Sequence, residues 1–250
     1  MSELSEKEMI EKLRGFDTPS VTNIVATYPD NPLCLGLYEP WRTNWYTDQS
    51  IRCMYPELGR TVGYAVTVVY SLPDPNYKRL SMIELIEALE KSRKPSIIII
   101  KQDFPPEILP KVGLCGGQMT TIFKACGAVG VVTNGPSRDI DEIRPLKFQY
   151  IMSGVTPGHG PMAISAINVP VSVAGMDVMP GDIIHMDENG ACKFPADRLA
   201  DVCGNIDALI ASEEKRAGAI KAAKTVAEIK TILSPGTAPK APKTHLKVEG

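Results

Sequence analysis

The sequence predicts an α/β fold in which a parallel sheet with crossover helices is followed by a second, partly antiparallel layer. Three observations predict it. Between residues 60 and 133, runs with strand character alternate with runs of helical period, the order that parallel strands joined by right-handed crossovers produce. The second half carries short branched runs separated by Pro180-Gly181 and Asn189-Gly190, pairs that suit tight turns between strands. From residue 196 to 233, charged and apolar residues recur at helical period.

Each element has its own reason. Ser5 to Arg14 places apolar residues at helical spacing, and a second helix is expected near Thr18-Pro19-Ser20, where a hydroxyl caps and proline suits the first turn. Residues 28–59 hold both tryptophans (Trp41, Trp45), several prolines, Arg42 and Arg52. They read as a long ordered loop, serving as a lid or a subunit contact. From Arg60 to Tyr70 branched and aromatic residues dominate, as in a strand ending at Ser71-Leu72-Pro73. Ser81 to Ser92 puts Met82, Leu85, Ile86 and Leu89 on one helical stripe, and Ser96 to Lys101 reads as a buried strand. Gln118 to Cys126 is expected to be a helix closed by Gly127, with Ala128 to Thr133 the next strand. Val169–Ala174, Asp182–Met186 and Ala191–Phe194 are short strands assigned to the second layer, and residues 196–233 form a C-terminal helix or helix pair. Residues 235–250, rich in Pro and Lys, read as a disordered tail, leaving one domain over 1–234.

Composition narrows the partners. A chain of 250 residues with 44% hydrophobic content suffices for one substantial core. A net charge of -2, with no run of five like charges, provides no electrostatic footprint for nucleic acid or an anionic membrane. A small anionic ligand is easier to accommodate. The charged N-terminus lacks the apolar stretch of a secretory signal, and the longest aliphatic run, Ile97 to Ile100, is too short to span a bilayer. A soluble, cytoplasmic protein is expected. The six cysteines form no C-x-x-C pair, which argues for reduced thiols against structural zinc.

Two segments carry chemistry. In Gly113-Leu-Cys-Gly116-Gly117-Gln118-Met119, adjacent glycines before a helix can take angles other residues avoid, turning free N–H groups toward a carboxylate or phosphate. The segment lacks the Gly-Lys-Ser/Thr ending of a nucleotide loop, and a purely structural turn is the alternative. The next strand ends in Asn134-Gly135-Pro136-Ser137-Arg138-Asp139, a cation beside a carboxylate just past the carboxyl end of a parallel strand, where open α/β sheets bind ligands. The alternative is that Asp139, Asp141 and Glu142 merely occupy the first turn of a helix while Arg138 pairs at the surface. Asp141 and Glu142 are read that way. His185 reads as a packed strand residue, and Asp182 and Asp187 as turn residues.

In this order, Gly113-x-x-Gly116-Gly117, then Lys124-Ala-Cys-Gly127 through Asn134-Gly135-x-x-Arg138-Asp139, resembles the RraA-like family, which includes the 4-hydroxy-4-methyl-2-oxoglutarate aldolases. Arg60-Thr-Val-Gly63 is similar to the family's early strand, and Pro180-Gly181-Asp182 through Gly190 to its closing hairpin; the resemblance spans residues 17–215. It implies a three-layer β/β/α swivelling fold, assembled as a trimer or hexamer with active sites at subunit contacts. It also implies a metal-dependent aldolase or decarboxylase acting on a small 2-oxo acid through a pyruvate-enolate-type intermediate. Asp139 would hold Mg²⁺ or Mn²⁺, largely through waters, and Arg138 would stabilise the growing negative charge. Gly116, Gly117, Gln118 and Met119, with Arg138, would bind the substrate carboxylate. Gly117 departs from the family, whose aldolases usually carry an acidic residue there to order a proton-transferring water. His159 is a candidate to polarise that water, and Glu213 or Glu214 could reach a neighbouring subunit's site. The family also contains regulators of ribonuclease activity that act by binding proteins, so a non-catalytic regulator is the alternative. A different lyase or hydrolase, its pocket reshaped by residues 28–59, is a third reading.

Overall fold

The computed structural model describes residues 4–26, 31–40, 44–160 and 162–234. Helix α1 (Glu6–Leu13) opens on a capping box between Ser5 and Glu8, and α2 (Thr18–Val25) opens on the Asp17 carboxylate, which accepts from Ser20 N–H. A short strand β1 (Arg52–Cys53) precedes the long β2 (Thr61–Ser71). Then come α3 (Met82–Lys91), β3 (Ser96–Asp103), α4 (Gly117–Ala125), β4 (Ala128–Thr133), the single-turn α5 (Ile140–Ile143) and β5 (Gln149–Met152). The second half contributes β6 (Ala163–Ile167), β7 (Val171–Val173), β8 (Met176–Val178), β9 (Ile183–Asp187) and β10 (Gly190–Phe194), and closes with α6 (Leu199–Ala222) and α7 (Val226–Leu233).

The main sheet runs β1-β5-β4-β3-β2-β9-β10, with β6 also pairing β2. Strands β2, β3, β4 and β5 are parallel, with Val66, Ile98 and Val131 in register across three of them. The eleven residues of β2 serve two partners on one edge: Thr61–Tyr64 pair with β9, while Val68–Ser71 pair with β6. The short strands of the second half therefore divide. Only β7 and β8 form the separate antiparallel layer, whereas the β9–β10 hairpin, expected in that layer, extends the main sheet. The physical reason is the length of β2, whose first half would otherwise leave an unpaired edge.

Alternation along β3 builds the layers. Ile98 and Ile100 join Leu85, Leu89 and Phe123 in a core under α3 and α4, while Ile97 and Ile99 face the opposite side with Val173, Met176 and Val178 of the small sheet. Small sheet, main sheet and helices make three layers. A third cluster packs α1, α2 and α6 against Val62, Tyr64, Ile183 and Phe194.

The loop expected over residues 28–59 is tied down where it is described. Trp45 is 2% exposed and stacks on Tyr38, Tyr55 is buried in the core under α4, and β1 pairs with β5. Trp45 and Tyr55 thus belong to the core and not to a lid; Trp41, Arg42 and the tail 235–250 lie outside the described residues. Cys53, Cys115, Cys126, Cys192 and Cys203 are in no disulfide, and burial pushes Cys115 up to about 12, so it is an inert core thiol. Among the described residues no helix is long and apolar enough to cross a membrane.

Candidate active site

The site lies where the loops following β3 and β4 meet at the carboxyl edge of the parallel strands. Asn134 ties the two strand ends together: its Oδ1 accepts from Gln102 N–H at 2.7 Å and its Nδ2 donates to Gln102 O at 3.0 Å. Gln102 Nε2 donates in turn to Thr133 Oγ1 and Pro136 O, both at 3.1 Å. Only glycine fits at position 135, because Gln102 fills the space a side chain would need. Farther along, Ser137 Oγ donates to Cys115 O and Arg138 N–H reaches the same carbonyl at 3.5 Å, which fastens the two loops to each other. Behind them, Thr120 Oγ1 bonds Gly116 O at 2.9 Å and Tyr150 Oη at 2.6 Å in a buried network.

This frame sets Arg138 and Asp139 against the start of α4. Asp139 Oδ2 accepts from Gly117 N–H at 3.1 Å and lies 3.4 Å from Arg138 Nε, and both side chains are about one-third exposed. Asp139 caps α5 in the left-handed region, φ 58° and ψ 38°, a conformation Asp tolerates better than most residues. The N–H groups of Gln118 and Met119, at the positive end of α4, donate to no described residue.

The two glycines act differently from the expectation. Gly116 is extended (φ -99°, ψ -171°) and Gly117 has no left-handed angle. What excludes larger residues is space. A Cβ on Gly116 would collide with Asp139 Oδ2 and approach Arg138 Nε to 3.0 Å, and one on Gly117 would collide with Glu142 Oε2. Glu142 is an exposed first-turn residue of α5, as the sequence predicts, and its side chain also lies against Gly117 at the start of α4. The Asp139-x-x-Glu142 spacing, three residues on one face of a turn, was the available signal.

The other candidates are placed less centrally. His159 is exposed, and among the described residues its Nδ1 hydrogen-bonds within its own loop, at Gly160 O, 3.1 Å away. That loop borders the site, because Gly113 N–H donates to Gly158 O at 2.7 Å and Thr156 N–H to Ser137 O at 3.0 Å. Glu213 and Glu214 lie on α6, in the layer with α1 and α2, and Glu213 accepts from Asn23 Nδ2 at 3.3 Å. Within one chain they are not brought to Asp139. His185, Asp182 and Asp187 are structural as expected: Asp187 accepts from Thr18 N–H at 2.7 Å and Asp182 from Met179 N–H at 2.9 Å.

Residues 36–192 match the family model described as RraA-like, Aldolase/RraA. The chain belongs to the RraA-like family. Among its relatives, the protein DlpA of Legionella pneumophila is 27% identical over 67% of this chain and 26% of its own length. A putative 4-hydroxy-4-methyl-2-oxoglutarate aldolase of Halalkalibacterium halodurans is 31% identical over 43% of this chain. That match covers 51% of the aldolase, so this RraA-like chain spans about half of the relative. A solved structure, the Streptomyces coelicolor RNase ES inhibitor family member RraAS2, superposes with a TM-score of 0.61 at 17% identity over 87% of this chain and 98% of its own; it shows the shared fold.

The donors suit only one kind of metal site. Among the described residues no group of three His, Cys, Asp or Glu side chains converges, which leaves no all-protein cage. Asp139 keeps Oδ1 without a hydrogen bond from any described residue, and Glu142 adds a second carboxylate nearby. One or two carboxylate oxygens in a solvent-reached site fit a hard cation that keeps most of its waters, as Mg²⁺ or Mn²⁺ does.

Proposed function

We propose that this protein is a divalent-metal-dependent carbon–carbon lyase, an aldolase or decarboxylase of small 2-oxo acids. The observation that carries the reading is the convergence of Arg138, Asp139 and the open N-terminus of α4 on one point, with Gly116 bare because the other two fill its side-chain space. The aldolase name borne by relatives in the family supports it.

Asp139, through Oδ1, would hold the cation, Mg²⁺ or Mn²⁺. When bound it would act as a Lewis acid on the substrate's 2-oxo carbonyl. The chain's own groups do the rest. The N–H groups of Gln118 and Met119 receive the substrate carboxylate at the positive end of α4. Arg138, its guanidinium fixed beside Asp139, faces the oxygen on which negative charge grows as the bond next to the carbonyl breaks. His159, exposed on the loop that borders the site, would hydrogen-bond a water there, and Glu213 or Glu214 would act only across a contact between copies in a trimer or hexamer.

Purified protein with Mg²⁺ should release pyruvate from oxaloacetate or from a 4-hydroxy-2-oxo diacid, read with a coupled lactate dehydrogenase assay. Asp139→Asn should lower turnover by about 10²-fold or more, the size of effect that follows loss of one preorganised charge-stabilising group. Full turnover by that variant would remove the basis of the site.

One observation favours a protein-binding role instead. Helix α7 buries none of its residues and exposes Val226 and Leu233. A titration with Mn²⁺ and oxalate separates the readings, since a regulator without metal chemistry would gain no thermal stability from the pair.

A further inference from the structure

We propose that Glu142 is a positioning residue of this site, supplying from α5 the carboxylate that a side chain at position 117 would otherwise bring. The inference rests on the lyase reading and adds to it a residue that the sequence pattern assigns only to the first turn of a helix.

Three features of the structure support it. Glu142 Oε2 and Cβ lie over the Cα of Gly117, so that a Cβ there would collide with the carboxylate and come within 3.1 Å of Glu142 Cβ, and Gly117 is buried although its neighbour Gln118 is exposed. No described residue donates a hydrogen bond to this carboxylate or pairs with it, unlike Glu57, which pairs with Arg144 just beyond α5. The open cleft beside it, about 470 Å³, is lined by Gly117, Gln118, Thr121, Ile122 and Glu142 and not by Arg138 or Asp139, so what the carboxylate shares with the candidate anion site is the helix start at Gly117 and Gln118.

The backbone explains the placement. The Asp139 carbonyl accepts from Glu142 N–H at 3.0 Å and from Ile143 N–H at 3.1 Å, which winds one tight turn and puts residues 139 and 142 on one face. Asp139 Oδ2 takes the Gly117 N–H, and Glu142 covers the Cα of the same residue. The two carboxylates thus flank one glycine from adjacent sides. A cation held by Asp139 with most of its waters needs hydrogen-bond acceptors around that water shell, and outer acceptors of this kind orient the shell without touching the metal. Glu142 is placed to be one.

Moving the carboxylate between the two positions tests this. Mn²⁺ binding is measured by water-proton relaxation for the wild type, Asp139→Asn, Glu142→Gln, Glu142→Ala, Gly117→Asp and the Gly117→Asp/Glu142→Ala double variant. Thermal melting of each metal-free protein is followed in parallel. Glu142→Gln and Glu142→Ala should weaken Mn²⁺ by about tenfold or more, within the range found for outer-shell partners, with unchanged melting. Gly117→Asp alone sets two carboxylates in one space and should bind Mn²⁺ worse and melt lower. The double variant should recover most of the affinity that Glu142→Ala loses, which a merely structural glutamate would not produce. Wild-type affinity in Glu142→Ala, or a double variant no better than Glu142→Ala, overturns the inference. If Asp139→Asn loses Mn²⁺ while both Glu142 variants keep it, only this inference fails. If the wild type binds no Mn²⁺, or Asp139→Asn binds as the wild type does, the lyase reading fails with it.

Discussion

Asp139 makes the residue scale of this site concrete, because its conformation and its chemistry are set together. Held at φ 58°, it aims Oδ2 at Gly117 N–H and returns its carbonyl to Glu142 and Ile143. Alanine in that region is disfavoured by roughly 1–2 kcal/mol, whereas asparagine tolerates it, so Asp139→Asn removes charge with the least backbone disturbance. Gly116→Ala probes the same point from the other side. Its methyl would meet Asp139 Oδ2 and Arg138 Nε, a crowding expected to cost about 1–3 kcal/mol. Taken from the bound state at ~1.4 kcal/mol per decade, that is a five- to hundredfold weaker affinity for oxalate, measured by calorimetry. Unchanged affinity would mean that the pair is not the anion's partner. The residue types of this site were legible in the sequence, but the reason for the glycines was not. Period and turn chemistry report backbone angles, whereas a missing Cβ that makes room for a side chain twenty or more residues away is visible only in three dimensions.

At the scale of elements, α4 connects site to core. Its buried face carries Thr120 and Phe123, the latter fully buried among Leu85, Leu89 and Ile98, while its first turn presents the N–H groups of Gln118 and Met119. Phe123→Ala should therefore destabilise the protein by about 3–5 kcal/mol in urea unfolding, and a loss under 1 kcal/mol would show that α4 is not anchored as described. Elements with strong period read well from sequence: α3, β3 and β4 fall where Leu85, Ile97–Ile100 and Val131 demand burial. The 28–59 segment read poorly, because Trp45 and Tyr55 are buried by contacts with distant strands and not by any local period. The β9–β10 hairpin was found as a hairpin, yet its sheet was not, since pairing along the first half of β2 is a long-range choice.

At the scale of the whole molecule, His185 joins the N-terminal helices to the sheet. Its Nδ1 meets Thr18 Oγ1 at 2.9 Å and its Nε2 meets Leu13 O at 3.1 Å, so β9, the end of α1 and the start of α2 share one buried ring. With a carbonyl at Nε2 and a hydroxyl at Nδ1, the neutral ring donates once and accepts once. Burial lowers its pKa from 6.5; the Leu13 carbonyl, Asp187 and Asp17 oppose that shift, and Arg60 adds to it. The folded protein thus binds this proton less readily than the unfolded chain does. The contribution is complete above the unfolded value of about 6.5 and is lost as pH falls toward the lower folded value, at up to about 1.4 kcal/mol per pH unit. His185→Gln keeps polar atoms in the cavity without a titrating ring, so urea midpoints at pH 7.5 and 5.5 should fall less steeply in this variant than in the wild type. Asp182, whose carboxyl burial pushes up, works in the opposite direction at acid pH and is common to both proteins, so the difference between the two slopes is the readout. Parallel slopes would mean that the ring is not held neutral, leaving the N-terminal layer fastened by its packing on the sheet and α6 and by the Thr18–Asp187 hydrogen bond.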